Sequence, residues 1–116
     1  NLKIGEISKI ALPVSDGLTF IAVENLSLLE ADGSYTKVWL KDGSNLLVSK
    51  KLKFFEQLLE KKKIFFRVHR SSLININSIK KYSKAESYLL LDNNKSVRIA
   101  RDKKSEFEEY IKSIRL

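Results

Sequence analysis

The 116-residue chain has no Cys, no Met, one His, one Pro, one Trp and four Gly, and each scarcity closes off some chemistry. Without Cys there is no disulfide framework, thiolate zinc site or thiol nucleophile, which fits a reducing compartment. One His rules out a cluster of imidazole ligands, so neither a metal nor another cofactor is expected. No apolar run approaches the ~18 residues of a membrane span, and the N-terminus lacks the basic-then-apolar plan of a signal peptide; a cytoplasmic location is the expectation. The Gly residues, at positions 5, 17, 33 and 43, form neither a dinucleotide fingerprint nor a P-loop, so nucleotide chemistry has no cradle. His69 has Ser71 and Ser72 nearby but no orienting acid or oxyanion donors in its segment, and the flanking Arg67 and Arg70 disfavour an imidazolium. Glu56/Glu60 and Glu106/Glu109 sit at helical spacing among Lys, as surface ion pairs do. No enzyme is expected. With no Met the chain also lacks an initiator, which suggests a piece of a longer protein.

What the sequence has in excess is positive charge. Lys and Arg number 22 against 14 Asp and Glu, a net +8. Residues 1–49 carry 4 basic and 6 acidic side chains, a net −2, whereas residues 50–116 carry 18 and 8, a net +10. The 21 residues from 61 to 81 hold seven Lys or Arg and no acid. A polyanion is the natural partner of such a surface, and a solvated basic face is the plain alternative.

The remaining composition, 43% hydrophobic, suffices for one core, and nothing marks an internal linker, so residues 1–116 read as a single domain. Asp16-Gly17, Asp32-Gly33, Asp42-Gly43 and Asp92-Asn93-Asn94 are turn candidates. Between them, strands are expected near 8–14, 18–23, 26–30, 35–41 and 45–48. Leu52, Phe55, Leu58 and Leu59 then recur at helical spacing, with Ser49 as a candidate cap. Alternation returns at 65–69, where Phe66 and Val68 face away from Arg67 and His69, and at 73–77, where Ile74 and Ile76 oppose Asn75 and Asn77. A hairpin joins 88–91 to 96–99. Phe107, Tyr110, Ile111 and Ile114 form the stripe of a C-terminal helix that Asp102 is placed to cap. The expected fold is mainly β, an elongated antiparallel structure of about nine to ten strands with a short helix mid-chain and a C-terminal helix.

The segment from Phe65 to Ile79 packs cations and hydrogen-bond donors between two apolar strands. Phosphate oxygens accept from Arg, Lys, Ser and Asn, and the major-groove edge of guanine accepts two bonds from one planar guanidinium. A strand ending near His69 leaves Arg70, Ser71 and Ser72 in the following turn. The competing assignment has His69 and Asn75 bonding to a tight turn's backbone and Arg67 in a surface ion pair.

Phe66-Arg67-Val68-His69-Arg70-Ser71, followed by Asn75 and Ile79, resembles the central motif of the LytTR family, the DNA-binding output domains of bacterial transcription regulators. The resemblance extends to residues 26–30 with the Asp32-Gly33-Ser34-Tyr35-Thr36 loop, to Leu52-Lys53, and to residues 97–104. It spans roughly residues 9–114. It implies a ten-stranded elongated fold that inserts loops, not a recognition helix, into successive major grooves of double-stranded DNA. The base-contacting positions it implies fall on Tyr35, on Arg70 and close to Asp102. An acid there would repel phosphate, so the contact passes to Arg101, Lys103 or Lys104, with Arg101 preferred. Ala100 stands where a Ser is common. Phosphate anchors are then expected at Arg67, His69, Ser71, Ser72, Asn75, Arg98, Lys103 and Lys104, with Lys61–Lys63, Lys80 and Lys81 secondary. Six cations on phosphates correspond to a salt slope of about −5. The resemblance further implies a C-terminal fragment of a two-component regulator that binds paired direct repeats, as a homodimer through a missing N-terminal region. The alternatives are a basic protein-interaction module for an acidic partner, and single-stranded RNA binding, which would want aromatics on an open sheet face.

Overall fold

Short polar turns divide the chain into strands of three to seven residues, and the computed structural model, which describes residues 8–115, closes a hairpin at each of the four turn candidates. Gly33 adopts a φ of 63° and Asn94 one of 67°, the left-handed region that Gly and Asn enter most readily. The strands are β1 (Lys9–Val14), β2 (Gly17–Ala22), β3 (Leu26–Asp32), β4 (Tyr35–Leu40), β5 (Asn45–Val48), β6 (Phe65–His69), β7 (Ser72–Asn75), β8 (Ile79–Ser83), β9 (Tyr88–Leu91) and β10 (Ser96–Arg98), with helices α1 (Leu52–Leu59) and α2 (Lys104–Tyr110). All ladders are antiparallel. A five-stranded sheet in the order β5-β4-β3-β7-β6 is the centre; β1-β2 and β10-β9-β8 form separate smaller sheets.

Each face of the central sheet is covered, which divides the interior in two. On one face, Leu26, Leu29, Val38 and Leu73 meet Leu52, Phe55 and Leu59 of α1 together with Leu12 and Val23. On the other, Leu28, Phe66, Val68 and Ile74 meet Leu89, Leu91, Val97, Ile99 and Phe107. Strand β3 serves both cores by alternation, Leu28 facing one and Leu29 the other, and a bulge shifts the register between Leu26 and Leu28, so Leu26 and Leu29 share a face that strict alternation would separate. Phe66 and Val68 do face the same core, as their period-two spacing requires.

In α1, Leu52, Phe55 and Leu59 fall within an arc of about 60° and are buried. Leu58 lies outside that arc and is 45% exposed, contrary to the expected stripe. Ser49 does not cap the helix; the N-cap position is Lys51, with no side-chain cap bond. At the C-terminus the helical stripe is shorter than expected. Helix α2 ends at Tyr110, and Ile114 is 71% exposed in a following 3-10 turn. Asp102 is not a cap either. It sits inside the 3-10 turn Arg101–Lys103, whose N-cap residue is Ala100. Instead α2 is anchored by Phe107, whose ring packs edge-on at 5.6 Å from Phe66 and 5.3 Å from Tyr82, and by the Tyr82 hydroxyl, which donates to Glu108 Oε2 at 2.6 Å. Burial, reinforced by the neighbouring carboxylate, pushes the Tyr82 phenol up to about 12, and the same bond holds the Glu108 carboxyl below its ordinary value.

Candidate nucleic-acid interface

Strand register brings two turns to one end of the central sheet. Asp32 pairs with Tyr35 across the β3-β4 turn, Glu30 pairs with Ser72, and the Ala31 N–H donates to the Ser71 carbonyl at 2.9 Å. The β3-β4 and β6-β7 turns therefore emerge side by side. A third segment, residues 98–104, joins them along the open edge of β6, where the Ala100 N–H donates to the Val68 carbonyl at 2.8 Å. The Ile99 N–H in turn reaches the Ser87 carbonyl at 2.9 Å. Between this segment, His69 and the 84–87 turn lies an open concavity of about 570 Å³, lined by His69, Glu86, Ser87, Arg98, Arg101 and Lys104, among others.

The side chains singled out by sequence divide into those presented at this end and those used to build it. Arg70 is exposed at the tip of the β6-β7 turn, and its guanidinium has no hydrogen bond or ion pair among the described residues. Arg98 and Arg101 are likewise exposed and without side-chain partners among the described residues. Tyr35, at the start of β4, is 44% exposed, not a buried strand-start aromatic. Lys103 and Lys104 are half-buried. Lys103 Nζ lies 3.8 Å from Glu106, a loose pair that salt screens, and Lys104 Nζ donates to the Lys84 carbonyl at 2.7 Å and Ser87 Oγ at 3.1 Å.

Arg67, Ser72 and Asn75 belong to the second group. Arg67 Nη1 pairs with Glu56 of α1 at 2.8 Å, Nε donates to the His69 carbonyl at 3.1 Å, and Nη2 donates to the Arg70 carbonyl. Its guanidinium is turned inward. Ser72 is buried in β7, and Asn75 is wholly buried, its Nδ2 donating to the Leu26 carbonyl at 2.8 Å while its Oδ1 accepts the Asn77 N–H at 2.9 Å. Leu26 lies beyond the Leu28–Ile74 pair of the β3-β7 ladder, so the Asn75 amide supplies a donor that strand pairing does not. In this structure none of the three presents its polar atoms to a phosphate. His69 and Ser71 occupy an intermediate position. The Ser71 N–H donates to His69 Nδ1 at 3.2 Å, and Ser71 Oγ lies 2.8 Å from the same nitrogen. An accepting Nδ1 leaves the proton on Nε2, a donor on a ring that lines the concavity.

Two contributors were missed in the sequence. Glu56 was read as part of a helical surface pair, yet it bonds across to β6. The 84–87 turn that walls the concavity follows β8, a strand not expected from the pattern. The available signal was weak, an apolar Ile79 and an aromatic Tyr82 around two Lys, without alternation.

A mainly antiparallel β body that gathers in adjoining turns Arg side chains without partners among the described residues has the basic surface of a polyanion-binding domain. The profile described as the LytTr DNA-binding domain matches residues 16–112, and the chain belongs to that family. It is thus a DNA-binding domain of transcription regulation. Among solved structures, a LytTr DNA-binding domain of a response regulator from Bacillus cereus is 31% identical, superposes with a TM-score of 0.71, and covers 90% of this chain and 97% of its own. No curated protein matches significantly. Among the described residues no helix is long and apolar enough to cross a membrane.

Proposed function

We propose that the domain binds double-stranded DNA sequence-specifically by inserting the β6-β7 turn and its two neighbouring segments into the major groove. The observation that carries this reading is Arg70, an unpaired guanidinium at the tip of a two-residue turn whose other members are held by internal bonds. A fixed fork of donors fits guanine O6 and N7, the commonest specific major-groove contact. Tyr35 and Arg101, in the flanking segments, are the further base-contact candidates. Arg98, Lys103, Lys104, Ser71 and the His69 Nε2–H face the sugar-phosphate backbone. Two copies on paired direct repeats, joined through regions outside this domain, extend the proposal.

Electrostatics sets a measurable scale. With Arg67 turned inward and Arg101 assigned to a base, three cations (Arg98, Lys103 and Lys104) remain for phosphates, which corresponds to a slope of log affinity against log salt of about −3. The test is selection of bound sequences from a random duplex pool, repeated with Arg70→Ala. Loss of Arg70 is expected to cost ~1–3 kcal/mol on the selected site and to relax preference at one base pair. Equal losses on selected and random duplex would refute the base contact, and a salt slope near zero would refute the phosphate contacts.

A further inference from the structure

The inward-turned guanidinium of Arg67 does more than fill space. One planar group spans three partners: a carboxylate on α1 and two successive carbonyl-bearing residues of the β6-β7 turn, His69 and the Arg70 that the turn presents. Its side chain is 23% exposed, that of Glu56 43%. The two bonds to the turn hold the peptide groups on either side of the Arg70 Cα. The bond to Glu56 fixes the guanidinium itself against a helix whose adjoining face is set into the core by Leu52, Phe55 and Leu59. On the far side of the turn, His69 Nδ1 holds the Ser71 N–H and hydroxyl. Arg70 is thus flanked by restrained backbone, while its own side chain is restrained by nothing among the described residues.

We infer that Arg67 and Glu56 are positioning residues for DNA recognition, a pair that orders the β6-β7 turn so that Arg70 meets its base without first losing backbone freedom. The inference rests on the reading of Arg70 as a base contact. Ordering a recognition loop in advance raises affinity only for the ligand that uses the ordered geometry, because the entropy of ordering is removed from that binding event. A random duplex, held through phosphates, makes little use of the turn's geometry.

Glu56 provides a test in which simple charge and positioning predict opposite signs. Removing an acid from a DNA-binding protein relieves repulsion and raises affinity for every duplex alike. If Glu56 acts through Arg67, removing it must instead lower the preference for the selected site. Affinities for selected and random duplexes are measured over a salt series for the wild-type domain, Glu56→Gln, Arg67→Gln, the double variant and Arg70→Ala, with a thermal melt of each. Glu56→Gln is expected to reduce the selected-to-random ratio about tenfold, the scale of one charge-assisted hydrogen bond. Arg67→Gln should do the same with an unchanged salt slope, and the double variant should lose little more than either single one.

A ratio that stays constant in Glu56→Gln while both affinities rise would overturn the inference. So would a salt slope shallower by about 0.9 in Arg67→Gln with equal losses on both duplexes, the signature of a direct phosphate contact. Glu56→Gln keeps the side chain's size and decides alone should Arg67→Gln fail to fold. If Arg70→Ala shows no selective loss, the underlying base contact fails and this inference with it. If Arg70→Ala is selective but Glu56→Gln is not, only the positioning role falls.

Discussion

Asn75 lies in the segment that looks most like a nucleic-acid contact, yet its environment predicts a purely structural phenotype. Asn75→Ala would delete a donor to the Leu26 carbonyl at 2.8 Å and an acceptor for the Asn77 N–H at 2.9 Å, at a site with 0% exposure. Each of these bonds contributes about 1 kcal/mol net, and a buried backbone group left without a partner costs about 1–3 kcal/mol more. The Leu26 carbonyl is buried between β3 and β7, while the Asn77 N–H lies in a 3-10 turn that water reaches, so the larger penalty applies once. The sum is about 3–5 kcal/mol, a substantial part of the 5–15 kcal/mol that stabilises a typical domain. Urea unfolding followed by the fluorescence of Trp39, the sole Trp, should show the midpoint shift with little change in slope. DNA affinity, measured where the variant is still folded, should keep its salt slope. An unfolding midpoint within about 0.5 kcal/mol of wild type, combined with a shallower salt slope, would place Asn75 on the phosphate backbone and refute the structural assignment.

Lys103→Ala should weaken selected and random duplexes equally and make the salt slope shallower by about 0.9, because its loose pair with Glu106 leaves the charge available to phosphate; competition titrations at several salt concentrations decide it, and a selective loss on the chosen site would contradict it. Phe107→Ala, which empties the space between Phe66 and Tyr82 at the base of α2, should destabilise the fold by about 3–5 kcal/mol in a denaturant titration, and a smaller effect than 1 kcal/mol would show that α2 is not held by this ring. For the Tyr82–Glu108 bond the sign is set by Glu108. Its folded carboxyl is held below the ordinary value, so the bond's contribution is present above the unfolded value and is lost as pH falls through the folded one. Tyr82 acts at the other end. Its phenol, at about 12 in the fold, favours the folded state below the ordinary value near 10, and that benefit is lost as pH climbs from there to about 12. Tyr82→Phe should therefore flatten both the acid and the alkaline limbs of a stability-against-pH profile and move the Glu108 carboxyl resonance titration upward; an unchanged titration would show that the bond is not populated.

Much of the architecture was legible because its turns carry their own chemistry. Three Asp-Gly pairs and an Asp-Asn-Asn run fixed four hairpins, and the intervening alternation located nine of the ten strands. The tenth, β8, was hidden for two physical reasons. A register irregularity between Ile79 and Lys81 breaks its alternation, and the turn after it reaches a φ of 55° at Ser87, a residue that does not announce a left-handed conformation. At the candidate interface, the exposed position of Arg70 was legible from its place after a strand end. For Arg67 and Asn75 an ion pair and a turn-backbone bond stood beside phosphate contacts, and sequence could not choose between them, since alternation assigns a residue to a face without saying what covers that face. With α1 and the hairpin β1-β2 on one side and α2 with its sheet on the other, an inward-facing polar side chain becomes a brace or a core hydrogen-bonding group. The pairing of Arg67 with Glu56, 11 positions apart in different elements, follows from tertiary packing alone.

The bulge at Ser27 has an evolutionary corollary. Strand β3 is in effect a two-phase rod, its first part in step with one interior and its remainder offset by a single position. Deleting Ser27 would leave Leu26 and Leu29 two positions apart, so plain alternation would keep both in the first compartment and Leu28 in the second, whereas losing a residue from the regular stretch after the bulge would turn Leu26 over relative to everything downstream. Loss of one residue should thus be tolerated in the hairpin loops and at the bulge itself but purged from the regular stretch of this strand, whose buried Leu residues admit only apolar replacements of similar size.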